Sequence, residues 1–183
     1  EKYPEQKQLI SIVPFESFNI RLLRDKVSIK DVEDLKENEY NPGGSTPLYD
    51  AIGFGISSIR KEVTDNDSVL VTIITDGEEN SSREYSGKAI AASIDELKQK
   101  GWLFTYIGAN QDAVKVAKAM NISNALNFEQ DEEGTMEMFR RERKSRERFF
   151  EKTASLLGLC KVFAMEARKE IACRDSYFED TDK

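Results

Sequence analysis

Two hydrophobic periods alternate along this chain, one suited to buried strands and the other to amphipathic helices. Ser68 to Thr75 is an unbroken β-branched and apolar run and predicts a central strand covered on both faces. Leu9 to Phe15 predicts a second buried strand. Phe18, Ile20 and Leu22 alternate with polar neighbours, so Phe18–Leu23 reads as a hairpin partner or antiparallel edge. Lys26 to Tyr40 is charged and weakly periodic and predicts a connecting segment. Leu48, Ile52, Ile56 and Ile59 fall at helical spacing and predict a helix over Thr46–Val63, with Gly53 and Gly55 allowing close packing against the sheet. Ile90, Ile94 and Leu97 mark a helix over Ser86–Lys100 that Gly101 ends at a C′ position. Trp102–Ile107 predicts a strand, Gln111–Met120 a helix and Ala125–Phe128 a last short strand. This alternation predicts an α/β fold: a doubly wound, mostly parallel sheet with helices on both faces, containing both Leu9–Phe15 and Ser68–Thr75.

From about Asp131 the pattern is helical to near the end, with acid at the start where the helix dipole favours it. Residues 1–139 are read as the α/β domain and 140–183 as a helical extension. Arg140 to Arg148 is the one basic cluster. It reads as a solvated face paired at i,i+4 (Glu137–Arg141, Glu142–Arg146, Arg143–Glu147) or as a docking patch for an acidic partner. Beyond it, Phe149, Phe150, Leu156, Leu157, Cys160, Phe163, Ala164, Ala167 and Ile171 recur at steps of three and four, widened by Leu159, Val162 and Met165. One helix over Phe149–Ile171 with a buried stripe is expected, covering its own sheet or pairing with the same helix of a second chain as a homodimer.

Composition narrows the chemistry. The chain has 183 residues, room for one domain with a real core. Its net charge of −7 argues against general nucleic-acid binding. No apolar run is long enough to span a bilayer, and no secretory leader is visible, so a cytoplasmic protein without a membrane is expected. Cys160 and Cys173 would sit about 19 Å apart on a straight helix, which suits reduced thiols. With no histidine and two cysteines, Ser-His-Asp and Cys-His catalysis and thiolate- or histidine-rich zinc sites are excluded. There is also no phosphate-binding Gly-x-x-x-x-Gly-Lys-Ser/Thr loop. No enzyme activity is expected.

Two segments remain that carry chemistry. Ile74-Thr75-Asp76-Gly77 puts a carboxylate just past the carboxyl end of a strand, where open α/β sheets bind ligands; the plain reading is an Asp-Gly turn. Asn41-Pro42-Gly43-Gly44-Ser45-Thr46-Pro47-Leu48-Tyr49-Asp50 is a flexible loop running into a helix, with Ser45 or Thr46 suited to the N-cap and Pro47 to the first helical position. A hydroxyl and a carboxylate are hard oxygen donors that suit Mg²⁺ or Mn²⁺. These segments resemble the second and third motifs of bacterial von Willebrand factor A (vWA) domains, and the resemblance covers roughly Gln8 to Phe139. It extends through Lys100 to Ala113, similar to the next strand and helix start, and Asn121 to Phe128, similar to the last strand.

The resemblance implies that Thr46 and Asp76 belong to a metal-ion-dependent adhesion site, where a Mg or Mn ion keeps a position open for a carboxylate from a protein partner. It also implies a first motif, Asp-x-Ser-x-Ser, that supplies three more site residues. That motif does not occur in this sequence, which enters at what resembles the family's second strand. Neither Asp50 nor Asp67 replaces it, because paired serines follow neither. Two ligands alone should bind an ion weakly or not at all. Glu78 and Glu79 read as solvated turn residues. The alternatives are a metal-independent structural or interaction domain, or a flavodoxin-like phospho-acceptor or enzyme using Asp76, for which no lysine follows the Trp102–Ile107 strand.

Overall fold

The computed structural model describes residues 6–179 apart from Phe18, Pro42, Asn110, Gln111, Leu157 and Asp175. The expected parts of Phe18 in the edge strand, Pro42 in the glycine loop, Asn110 and Gln111 at the third helix, and Leu157 in the apolar stripe lie outside the described residues. The chain divides into two compact units, Glu1–Glu62 with Glu78–Ser86, and Val63–Gly77 with Gly87–Lys183. Among the described residues the fold is mixed α/β, with a three-stranded parallel sheet and five helices.

In the first unit, β1 (Leu9–Ile12) pairs antiparallel with β4 (Arg24–Ser28), and the short β2 (Phe15–Glu16) pairs with β3 (Asn19–Ile20). The register of β1 and β4 slips between Ile10 and Ile12, where Lys26 takes a positive φ of 49° and its N–H turns to Ser11 Oγ at 3.0 Å. Arg24–Ser28 therefore supplies the partner strand of β1 in a stretch expected to be partly connecting segment. Its charges hid it: Arg24 reaches out to chelate Glu39 at 2.8 and 3.0 Å, and with the Lys36 N–H it draws the Glu39 carboxyl down to about 2. Helix α1 (Leu48–Ile59) follows; Leu48, Ile52 and Ile56 of the predicted set are buried, joined by Ala51, and Ile59 is half-buried.

The second unit is built on β5 (Leu70–Thr75), β6 (Leu103–Ala109) and β7 (Asn124–Phe128), all parallel in the order β5-β6-β7. β6 is the middle strand, hydrogen-bonded on both sides and buried at all seven positions. β5, expected to be central and covered on both faces, is an edge of this sheet and leaves Ile74 exposed. β1 belongs to the antiparallel pair and β5 to the parallel sheet, so the expectation that both share one sheet is corrected. β1 hydrogen-bonds to β4, which the charge pattern had not marked as a strand.

Helices α2 (Gly87–Lys98) and α3 (Ala113–Ala119) both contact β6. Each ends in a pair of nested hydrogen bonds around a left-handed residue. For α2 this is Gly101 (φ 84°), with Trp102 N–H on Leu97 O at 3.0 Å; for α3 it is Asn121 (φ 58°), with Ile122 N–H on Ala117 O at 2.9 Å. Gly101 is required for space as well, since a Cβ there would lie 2.7 Å from Arg168 Cβ.

The tail is two helices, α4 (Glu132–Ala154) and α5 (Lys161–Cys173), in place of one continuous helix over Phe149–Ile171. Asp131 caps α4 by accepting the Gly134 N–H, and the boundary expected at 139/140 falls inside this helix. Met138 and Phe149 of α4 pack with Leu103, Ile107 and Leu126 of the sheet and with Tyr177 and Phe178, so the tail covers one sheet face. The stripe is only partly buried. Phe149, Leu156 and Ala164 are inside, whereas Leu159, Cys160, Val162 and Phe163 are exposed, Phe163 at 70%. The break between the helices turns these residues outward. Arg168, buried on α5, donates to Ser68 Oγ (3.0 Å), Asp65 O (2.8 Å) and Asn66 O (2.7 Å), tying α5 to the approach to β5. No helix among the described residues is long and apolar enough to cross a membrane.

Candidate functional site

Thr46 lies in the first unit, on the loop that enters α1. Its backbone is held on both sides by one residue: its N–H donates to Asn80 Oδ1 at 2.8 Å, and its carbonyl accepts the Asn80 N–H at 3.2 Å. Upstream, Ser45 N–H donates to Ser17 Oγ at 3.2 Å and Ser45 O accepts from Ser17 N–H at 2.7 Å. Gly44 (φ 77°) has to be glycine here, because a Cβ would overlap the Ser17 hydroxyl. The Thr46 loop is thus fixed by paired hydrogen bonds at two successive residues.

The N-cap of α1 is Pro47, where Ser45 or Thr46 was expected, and no side chain caps it locally. Proline carries no acceptor side chain, so the first helical N–H groups need partners from elsewhere. Residues 78–86 supply them. Tyr49 N–H donates to Glu79 Oε2 at 3.0 Å and Asp50 N–H to Ser82 Oγ at 3.1 Å. Glu79 also accepts from Ser81 N–H, Ser82 N–H and the Ser82 hydroxyl at 2.9, 2.8 and 2.6 Å. Burial alone would raise its carboxyl, but these bonds outweigh it and hold Glu79 below the usual carboxylate range. Glu79 is a half-buried brace, which corrects its reading as a solvated turn residue; Glu78 is exposed.

Asp50 returns the contact. Its carboxylate accepts Arg83, Glu84 and Tyr85 N–H at 2.8, 2.9 and 2.9 Å, and against the opposing effect of burial these donors lower it from its ordinary value. Tyr85 then lies over α1 at Gly53, where a Cβ would stand 2.5–2.7 Å from three ring atoms. Gly53 thus makes room for an aromatic ring of this loop, whereas packing on the sheet had been expected.

Asp76 lies in the second unit, exposed, directly after β5. Its Oδ2 accepts Gln130 Nε2 at 2.8 Å, and Thr75 Oγ1 bonds within the turn to Gly77 O at 3.0 Å. Parallel strands put the residues that follow β5, β6 and β7 at one sheet edge, so Asp76 and Gln130 meet at the edge expected to bind ligands.

Thr46 and Asp76 offer hydroxyl and carboxylate oxygen, the right kind of donor for a hard cation. Asp50 and Glu79 are committed to backbone N–H groups and add no ligand. No group of three or more cysteine or carboxylate side chains is gathered for a metal among the described residues. Sequence reasoning missed the roles of Asn80, Glu79, Ser82 and Asp50. Pro47 was a weak signal at most: as N-cap it brings no acceptor of its own, and the first helical N–H groups turn to other side chains or to water. No family model, curated protein or solved structure matches this chain.

Proposed function

We propose that this chain is a vWA-type protein-interaction module without enzyme activity, with Thr46 and Asp76 as its candidate ion ligands. The observation that carries the reading is the reciprocal hydrogen bonding of Thr46 and Asn80, which joins the Thr46 loop to the loop that follows Asp76. The finer fold reading, a doubly wound vWA or Rossmann-like sheet with helices on both faces, belongs to the same proposal and is supported by the parallel order β5-β6-β7 and the fully buried β6.

Mg²⁺ or Mn²⁺ would use the Thr46 hydroxyl and the Asp76 carboxylate, and an acidic side chain of a protein partner would fill an open position. Mg²⁺ dehydrates reluctantly, so two protein ligands hold it weakly, and Gln130 already occupies one Asp76 oxygen. A cytoplasmic setting is part of the proposal, because the exposed free thiols Cys160 and Cys173 suit a reducing compartment.

A metal-independent interaction domain is the second reading, favoured by the commitment of Asp50 and Glu79 to backbone donors. Calorimetric titration with Mg²⁺ and Mn²⁺ separates the two. Weak binding that disappears in both Thr46→Ala and Asp76→Ala supports the metal-dependent module. The same weak heat in all three proteins, or none in any, favours the metal-independent one.

A further inference from the structure

We propose that the outer edge of β5 in the second unit binds an extended peptide as an added strand, one with β-branched residues at its centre and lysine or arginine at its ends. The register of β5 on β6 decides which backbone groups are available for this. Leu70 stands opposite Leu103, the same offset holds to Thr75, and Leu103 N–H donates to Val69 O at 2.9 Å. Successive residues of a strand turn their N–H and C=O to opposite sides. Val71 and Ile73 therefore face β6, as Val69 does, and Leu70, Thr72 and Ile74 face away from it. Among the described residues, no backbone group pairs with those of Leu70, Thr72 and Ile74. One edge thus presents their N–H and C=O groups as a ladder without its second strand.

Nothing within β5 blunts that edge. Exposed strand edges are commonly protected by charged side chains, proline or a bulge. Leu70–Thr75 has none of these, keeps a continuous register with β6 and is β-branched at every position after Leu70. Ile74 is 41% exposed, so an added strand would cover apolar surface while completing the ladder. The ends of the edge decide the occupant. Asp67 precedes β5 and Asp76 follows it, and both are exposed. A second copy of this chain, laid antiparallel with Thr72 against Thr72, would bring Asp67 beside Asp76 at both ends, and like charges set together destabilise a strand pair. A strand with cationic ends meets attraction at both places. The added strand needs neither the Thr46 hydroxyl nor an ion.

Hydrogen exchange of the full chain, read by nuclear magnetic resonance, tests this with the end-blocked peptide Lys-Thr-Val-Thr-Ile-Thr-Lys. Without peptide, the amides of Leu70, Thr72 and Ile74 should exchange faster than those of Val71 and Ile73, which donate to β6. Saturating peptide should slow exchange at those three amides. The same peptide N-methylated at its five central amides keeps its side chains and charges but cannot donate to the ladder, and its binding should be lost. Glutamate in place of both lysines turns two attractive end pairs into repulsive ones and should weaken binding roughly tenfold. The proposal is overturned if the lysine peptide leaves the three amides unchanged, or if the N-methylated or glutamate peptide binds as tightly. It is equally overturned if the three amides are already protected without peptide, whether in a monomer or in a dimer of this chain.

Discussion

Asp50 and Glu79 join the start of α1 to residues 79–85 through charged hydrogen bonds, and the same bonds set their protonation. Replacing Asp50 with alanine leaves three backbone N–H groups without their acceptor. A loss of about 1.5–3 kcal/mol is expected in urea unfolding, the range for hydrogen bonds to a charged group. Both carboxyls are lowered in the folded chain. Their stabilisation is therefore fully present above the ordinary carboxylate values near 4 and is lost as pH falls through the folded values. Glu142 has the opposite sign. Burial raises its carboxyl against the pull of Arg146 and the Tyr177 hydroxyl, so its contribution is present at low pH and is lost as pH rises through the raised value. Unfolding measured from pH 3 to 7 should show an acid-side fall that is shallower in Asp50→Asn/Glu79→Gln, whereas Glu142→Gln should gain relative stability towards pH 7. Little of this was legible in the sequence. Acidic residues in a polar turn look solvated until the helix they cap is in place.

In α1, Gly53 faces the Tyr85 ring. Alanine for glycine inside a helix ordinarily stabilises by about 0.5–1 kcal/mol. Here the added methyl meets the Tyr85 ring, whose backbone N–H is pinned by Asp50, so overpacking reverses the sign and Gly53→Ala should lower the thermal midpoint. In a Tyr85→Ala background the obstacle is gone, and the same substitution should raise the midpoint. The elements themselves were largely legible: α1, α2, α3, β5, β6, β7 and the start of α4 follow from periodicity and caps. β4 was hidden because Arg24, Asp25 and Lys26 supply charge where a strand pattern calls for alternation. The rank of β5 and β6 was also hidden, because an apolar run reports burial without saying which strand has two neighbours. The break between α4 and α5 escaped because apolar spacing of three and four continues across Gly158, whose φ of 84° no helix accommodates.

At the scale of the whole molecule, the tail belongs to the core of the second unit. Phe149, 5% exposed, sits among Leu103, Ile107 and Leu126. Phe149→Ala should therefore cost about 3–5 kcal/mol in chemical denaturation. Phe163, 70% exposed, should tolerate aspartate with an unchanged melting temperature. Any self-association through the apolar residues at the start of α5 would fall in that variant, as sedimentation velocity would show. The proposed module depends on ion binding at Thr46 and Asp76. Paramagnetic Mn²⁺ added to the labelled chain tests it most directly, because amides close to the bound ion broaden first. Weak, selective broadening at Thr46 and at Asp76 together, absent in Asp76→Ala and reversed by excess Mg²⁺, is the predicted result. Broadening confined to other carboxylates, or persisting unchanged in Asp76→Ala, would contradict it.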